Sequence, residues 1–277
     1  MVRFFLRVLQ KLDLLQFLNF TVRCTYAHTV YKIPIKGGVG FDHFGKRESW
    51  MSVLIKRLLV LHSGKSFLDV GVNIGQTLLA VKSINLHIPY YGLEPNPICI
   101  EYLTGLITMN NIDATIYPVG LSVEDGLISL YKDKKLPQDS SASIIRNFRD
   151  VEGKEQVWVP ILTWDKVPAS SNVLFGIVKI DVEGAEWEVI SSLKKMISDQ
   201  RPSIICEILP TYSADNVFRI ERQEKILKTL FDLDYVLFLI KNDGALELLT
   251  KIEIHGDVIN SNYLFLPSEH QTLFHTA

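Results

Sequence analysis

The chain has few cysteines, no excess of either charge, no repeats and no long uncharged apolar run, and each absence excludes something. Cys24, Cys99 and Cys206 are the only cysteines among 277 residues, too few and too scattered for a disulfide framework or a thiolate zinc site. Reduced thiols and a cytoplasmic location are expected. The 29 Lys and Arg against 31 Asp and Glu leave a net charge of -2, and the isoelectric point is near 6.4. Nothing in that balance draws the chain to a phosphate backbone, no local basic patch takes its place, and nucleic acid is not an expected partner. The absence of repeats and low-complexity segments removes solenoids and linker arrays from consideration. The apolar residues 1–20 are interrupted by Arg3, Arg7, Lys11 and Asp13. Each such charge at a bilayer centre costs roughly 2.5–3.5 kcal/mol, and no small-residue cleavage site follows, which speaks against a spanning helix or a secretory signal.

With 47% hydrophobic and 22% charged residues, the composition is that of a globular protein with one substantial core. The expected organisation is a helical extension and hinge over residues 1–60 and one domain over 61–277. Phe5, Leu9, Leu12 and Leu15 recur at helical spacing and predict an amphipathic helix with one buried stripe, docked on the protein or across a homodimer. Contact of residues 1–20 with a membrane surface is the alternative. Residues 32–44, with Pro34 and three glycines, read as the hinge.

From residue 66 onward, short apolar runs alternate with longer amphipathic stretches, the pattern of an α/β protein with a mainly parallel sheet. Strands are expected at 66–70, 90–93, 114–118, 177–180, 203–208, 235–240 and 263–266, the last two as an antiparallel pair. Helices are expected at 74–84, 97–109, 186–196 and 223–231. Residues 127–131 and 156–162 read as an additional strand pair, joined through a polar loop at 137–143 whose Ser140, Ser141 and Ser143 are candidate acceptor contacts.

Two constellations carry chemistry at the start of this pattern. Asp69-Val70-Gly71-Val72-Asn73-Ile74-Gly75 runs from a buried strand through a Gly-rich turn into a helix, where the missing side chains of Gly71 and Gly75 let a ligand approach the backbone. Alone, such a turn is equally a plain connector. The next strand ends at Glu94, in Gly92-Leu93-Glu94-Pro95-Asn96-Pro97, and an acidic residue there accepts hydrogen bonds from the two ribose hydroxyls of a nucleoside. Dinucleotide-binding turns ask for three glycines to seat a pyrophosphate. Here the middle position is Asn73, which suits S-adenosylmethionine, a nucleoside without phosphate, better than a nicotinamide dinucleotide.

The third constellation is Lys179-Ile180-Asp181-Val182-Glu183-Gly184-Ala185-Glu186 at the end of the fourth core strand. The active-site edge of an open α/β sheet lies at such strand ends. Asp181 is the first candidate to orient an acceptor oxygen and receive its proton, and Glu183 the second. The competing reading makes Asp181 a helix cap and gives Glu183 and Glu186 to the helix dipole. Asp181, Glu183 and Glu207 offer oxygen donors to a divalent cation, but their spacing fixes no carboxylate triad, and no metal is expected. His28 and His43 flank the hinge, where a solvated or satisfied polar role is expected for each rather than a place at a substrate entrance.

These blocks, with Pro202-Ser203-Ile204-Ile205-Cys206-Glu207 and Asn262-Tyr263-Leu264-Phe265-Leu266-Pro267 following in order, resemble the FkbM-family methyltransferases over residues 67–267. The resemblance implies the class I methyltransferase fold, a Rossmann-like, seven-stranded, mainly parallel sheet whose last strand is antiparallel. It also implies S-adenosylmethionine as cofactor and methylation of a hydroxyl on a sugar, glycan or other small molecule. Carried over by position, Asp69, Gly71, Asn73 and Gly75 hold the methionine half of the cofactor, Glu94 the ribose, and Leu121 lies against the adenine. Val72 departs from the alanine usual after the family's first glycine. Methylation of nitrogen, a nicotinamide-dependent oxidoreductase and a non-catalytic binding protein retaining the fold stay open as alternatives.

Overall fold

The structure is a computed structural model that describes residues 2–12, 14–45, 49–132 and 155–274. Helix α1 (Val2–Lys11) leads into a hairpin of β1 (Asn19–Tyr26) and β2 (Thr29–Lys36), and then into helix α2 (Ser49–Leu61). The alternating part follows as β3 (Ser66–Val70), α3 (Gln76–Ile84), β4 (Tyr90–Leu93), α4 (Pro97–Asn110) and β5 (Thr115–Tyr117). A small sheet of β6 (Gly120–Leu121), β7 (Gly126–Lys132) and β8 (Glu155–Leu162) comes next. The chain continues with β9 (Phe175–Ile180), α5 (Glu186–Gln200), β10 (Ser203–Glu207), α6 (Val217–Phe231), β11 (Tyr235–Ile240), β12 (Leu246–Leu249) and β13 (Asn262–Pro267).

The main sheet has the order β12-β11-β13-β10-β9-β3-β4-β5. β3, β4, β5, β9 and β10 pair in parallel, and β13 is antiparallel to both of its neighbours. This is the expected seven-stranded Rossmann-like sheet with its closing strand reversed. An eighth strand, β12, extends the edge by pairing with β11. Its four half-exposed residues after a Gly244 turn give no buried run to read.

Successive strand residues face opposite sides of a sheet, and two cores follow from that alternation. Phe67, Ile177, Ile205 and Leu264 join one core with α2, α3 and α4, while Leu68, Val178, Ile204 and Phe265 join the other with α5 and α6. Strands covered on both faces need near-continuous apolar sequence, which is why these were legible. Helix α4 shows its start locally: the Asn96 side chain accepts from the Ile98 N–H, and Pro97 takes the first turn, where its missing donor costs nothing.

Two expectations for the first 60 residues are corrected. The extension is not helical throughout and residues 32–36 are not a hinge: β1 and β2 pair antiparallel from Asn19↔Lys36 to Tyr26↔Thr29. Tyr31, Ile33 and Ile35 alternate inward and join the α3–α4 core. The Asn110 amide brackets Lys32, accepting from its N–H at 2.7 Å and donating to its carbonyl at 2.8 Å. Nor do Phe5, Leu9, Leu12 and Leu15 form one buried stripe. Leu6 and Leu15 are buried and Leu9 half-buried, but Phe5 is 57% and Leu12 62% exposed. The helix sits one residue out of the expected phase, with Leu6 at the centre of its contact. Ser140, Ser141 and Ser143 lie outside the described residues. No helix among the described residues is long and apolar enough to cross a membrane.

Candidate active site

A cavity of about 550 Å³ opens at the carboxyl ends of the central strands, within the size range of small-molecule and cofactor sites. Gly71, Asn73, Glu94, Leu121, Asp181 and Glu183 all line it. Asp69 and Gly75 do not. Asp69 is wholly buried inside the sheet, where the Tyr90 hydroxyl donates to its Oδ2. Gly75 precedes α3 at φ +90°, packed under Leu103 and Leu106. Both stand behind the cavity, as supports of the turn.

The turn after β3 is held by backbone contacts that only these residues permit. Gly71 has φ +92°, and a Cβ there would lie 1.9 Å from the Asp181 carbonyl oxygen. The Asp181 N–H donates to the Val70 carbonyl at 3.0 Å and the Gly71 N–H to that of Leu93 at 2.9 Å, so the tips of three strands are fastened together. Asn73 and Glu183, at φ +51° and +52°, hold left-handed conformations, which non-glycine residues adopt mostly where the surroundings enforce them.

Glu94 is the buried anchor between two loops. Its Oε2 accepts from the Asn73 N–H at 2.7 Å and its Oε1 from the Asn96 N–H at 2.8 Å. Burial raises the carboxyl to about 7 although both bonds favour the charged form. Each oxygen keeps a lone pair for a further donor, as a pair of ribose hydroxyls requires. Asp69, raised to about 6 by burial against the pull of Lys179 and Tyr90, keeps Oδ1 buried without a partner. These residues fit an adenosine-type cofactor: Gly71 and Asn73 line the cavity at the turn, and Glu94 is an unspent acidic acceptor at the end of the second strand.

On the other side of the cavity, β9 and β10 end in three ionisable groups. Lys179, two residues before Asp181 on the same face of the strand, sets its Nζ 2.8 Å from Asp181 Oδ2. Burial pushes Asp181 up, but the Lys179 ammonium and hydrogen bonds from Lys179 and Glu207 outweigh it and hold the carboxyl below its usual value. Glu207 moves the opposite way: burial, then the charges of Asp181 and Glu183, raise it to about 9. Glu207 thus keeps a proton at neutral pH and donates it to Asp181, while its Oε1 accepts from Ser261 Oγ at 3.0 Å. In the sequence Glu207 stands out only as an oxygen donor for a cation. Its role as the protonated neighbour of Asp181 comes from parallel pairing, which sets Cys206 beside Ile180 and so the two carboxyls side by side.

Glu186, at the start of α5 where the helix dipole favours it, turns back to accept from the Gly184 N–H at 2.7 Å and so closes the turn before the helix. Asp181 does not cap the helix: it faces the cavity, and the residue preceding α5 is Ala185, without a side-chain cap bond.

The first 60 residues supply a wall that the motifs did not reveal. Tyr26, Asp42, Met51 and Ser52 line the cavity. His43 is buried, with Nδ1 2.7 Å from the Tyr26 hydroxyl and Nε2 3.1 Å from the Ile74 carbonyl. A carbonyl accepts only, so Nε2 carries the proton and Tyr26 donates to Nδ1. His43 therefore bolts the hairpin tip to the Gly71–Gly75 turn, the satisfied polar role expected of it. His28, in the hairpin turn, is exposed.

Residues 69–237 match the family model described as the methyltransferase FkbM domain. The chain belongs to the FkbM methyltransferase family. The matched domain is a methyltransferase domain, and the nicotinamide reading falls away. Solved structures to which the chain is similar include methyltransferase FkbM from Methylobacillus flagellatus KT, 14% identical over 81% of this chain and 52% of that one, with TM-score 0.45. A caffeoyl-CoA O-methyltransferase candidate from Staphylococcus aureus is 12% identical over 94% and 90% of the two chains, TM-score 0.45. The Pyrococcus abyssi tRNA (uracil-54, C5)-methyltransferase, in complex with S-adenosyl-L-homocysteine, is 12% identical over 89% and 43%, TM-score 0.41. The chain spans about half the length of the first of these. No curated protein matches it.

Proposed function

We propose that this FkbM methyltransferase methylates a hydroxyl oxygen on a sugar, glycan or other small molecule. The observation that carries the reading is the hydrogen-bonded carboxyl pair Asp181–Glu207 at the cavity, with Lys179 fixing Asp181. A neutral amine needs no base to attack an electrophilic carbon, whereas a hydroxyl is a weak nucleophile whose proton must leave as the new bond forms. A site built around paired carboxyls suits the second case.

Bound S-adenosylmethionine supplies a methyl group on a sulfonium. Gly71 and Asn73 take its methionine half, Glu94 its ribose, and Leu121 lies against its adenine, with Asp69 and Gly75 supporting from behind. Asp181 accepts the acceptor's hydroxyl hydrogen bond and so aims an oxygen lone pair, and Glu183 holds a neighbouring polar group of the acceptor. The proton passes to the Asp181–Glu207 pair. That transfer becomes easier once Glu207, which burial and the charges of Asp181 and Glu183 hold protonated above the usual carboxylate range, has also given up its proton. A cytoplasmic setting suits the three cysteines, which are buried and form no disulfide among the described residues.

The test is transfer of a labelled methyl group into extracts or a panel of polyhydroxylated acceptors, with the product's bond identified by NMR. A methyl ether is expected. A methylated nitrogen as the main product would overturn the reading.

A further inference from the structure

Helix α1 meets the protein through one face and leaves two faces of different chemistry uncovered. At 3.6 residues per turn, Leu6 and Leu9 point to the core, and Leu6 has no exposed surface. Phe4, Phe5, Val8 and Leu12 share the next side, the helical turn being carried to Leu12 by its N–H bond to the Val8 carbonyl at 3.0 Å. They are 75%, 57%, 37% and 62% exposed. Arg3, Arg7 and Lys11 occupy the third side, all exposed, and the helix contains no acidic residue.

An exposed row of two phenylalanines, a valine and a leucine marks an interaction surface. The basic side beside it selects among occupants. A second copy of the chain, pairing its helix antiparallel about a two-fold axis, would bring the basic sides with Arg3, Arg7 and Lys11 along the same edge of the contact, and like charges facing one another oppose association. An anionic lipid surface answers both sides at once. Aromatic and aliphatic side chains enter the boundary of headgroups and acyl chains, while Arg and Lys remain at the level of the phosphates.

We propose that α1 is a peripheral anchor that lies in the plane of an anionic lipid bilayer, inserting Phe4, Phe5, Val8 and Leu12 with Arg3, Arg7 and Lys11 on the headgroups. Leu6 and Leu9 stay packed against the protein, so the whole enzyme is held at the surface with its own core intact. This inference is independent of the acceptor assigned above, and membrane attachment and methyl transfer fail separately.

The test is cosedimentation of the full chain with vesicles of phosphatidylcholine alone and of three parts phosphatidylcholine to one part phosphatidylserine. Binding is expected to the mixed vesicles only and to weaken with salt. Each basic residue near an anionic surface is worth roughly fivefold in partitioning, so Arg3→Glu with Arg7→Glu should weaken binding by at least about 25-fold on that scale. Phe4→Ser with Phe5→Ser should abolish it. Both variants keep Leu6 and Leu9, and an unchanged melting shift with S-adenosylhomocysteine verifies that each is folded. Retention of the full chain in the supernatant with both kinds of vesicle would overturn the proposal. So would a dimer in sedimentation velocity that dissociates on Phe4→Ser with Phe5→Ser, which would assign the face to a second copy.

Discussion

The strand-tip loops and the first 60 residues line the same cavity but hold their places by different physics. The loops after β3, β4 and β9 are fixed by backbone constraints: positive φ at Gly71 and Asn73, a Glu94 carboxylate shared between two N–H groups, and carbonyl contacts closer than any Cβ allows. The hairpin and α2 reach the cavity by ordinary packing, with Tyr26, His43 and Asn110 as polar fasteners. The first kind of region tolerates few residues at each position and binds the part of the reaction common to all methyl transfers. The second can change side chains freely so long as its inward faces stay apolar, and it is suited to shape the acceptor end.

That contrast gives measurable consequences. The largest effect is expected at Asp181. Asp181→Asn keeps the shape but removes the charge, and kcat should fall by about 10²- to 10⁴-fold, the usual span for a lost general base. S-adenosylhomocysteine affinity should stay nearly constant in calorimetry. Near-normal turnover would return the residue to a structural role, and Glu183→Gln would then be the variant to compare.

A smaller effect comes with pH. Glu94 takes up a proton as pH falls through about 7, and the protonated form has fewer acceptor sites for its two backbone donors and the ribose. The dissociation constant of S-adenosylhomocysteine should therefore be flat above that pH. Below it the constant should rise, approaching tenfold per pH unit. A flat profile between pH 5 and 8 would contradict the assignment.

The smallest effect is expected in the wall. Tyr26→Phe removes one buried hydrogen bond to His43 and should cost about 0.5–1.5 kcal/mol of stability, a loss of a few degrees in melting temperature. Acceptor KM should rise with little change in cofactor affinity. If cofactor affinity changed as much as KM, the two regions would not be separable in the way their contacts imply.

The same contrast explains what the sequence made legible. A strand such as Tyr235–Ile240 is visible because burial within the sheet demands an unbroken apolar run. Gly71, Asn73, Glu94 and Asp181 are visible because chemistry or backbone geometry restricts those positions. The hairpin is hidden: Pro34 and a glycine cluster suggest a hinge, and its alternation over Tyr31, Ile33 and Ile35 spans only one short strand. Glu207 stands in the sequence only as an acidic strand end, since its partner Asp181 lies on the neighbouring strand and only the register unites them. Helix α1 is legible but its phase is not, because Phe5, Leu6, Leu9 and Leu12 allow two apolar faces and sequence does not say which one meets the core.

The central claim, that the strand tips seat the cofactor through Glu94, is tested most directly by titrating S-adenosylhomocysteine calorimetrically into Glu94→Ala beside the unaltered chain. Loss of a charged acceptor for two hydroxyls should cost on the order of 1.5–3 kcal/mol, roughly a ten- to hundredfold weaker complex. An unchanged dissociation constant in a folded Glu94→Ala protein would contradict it.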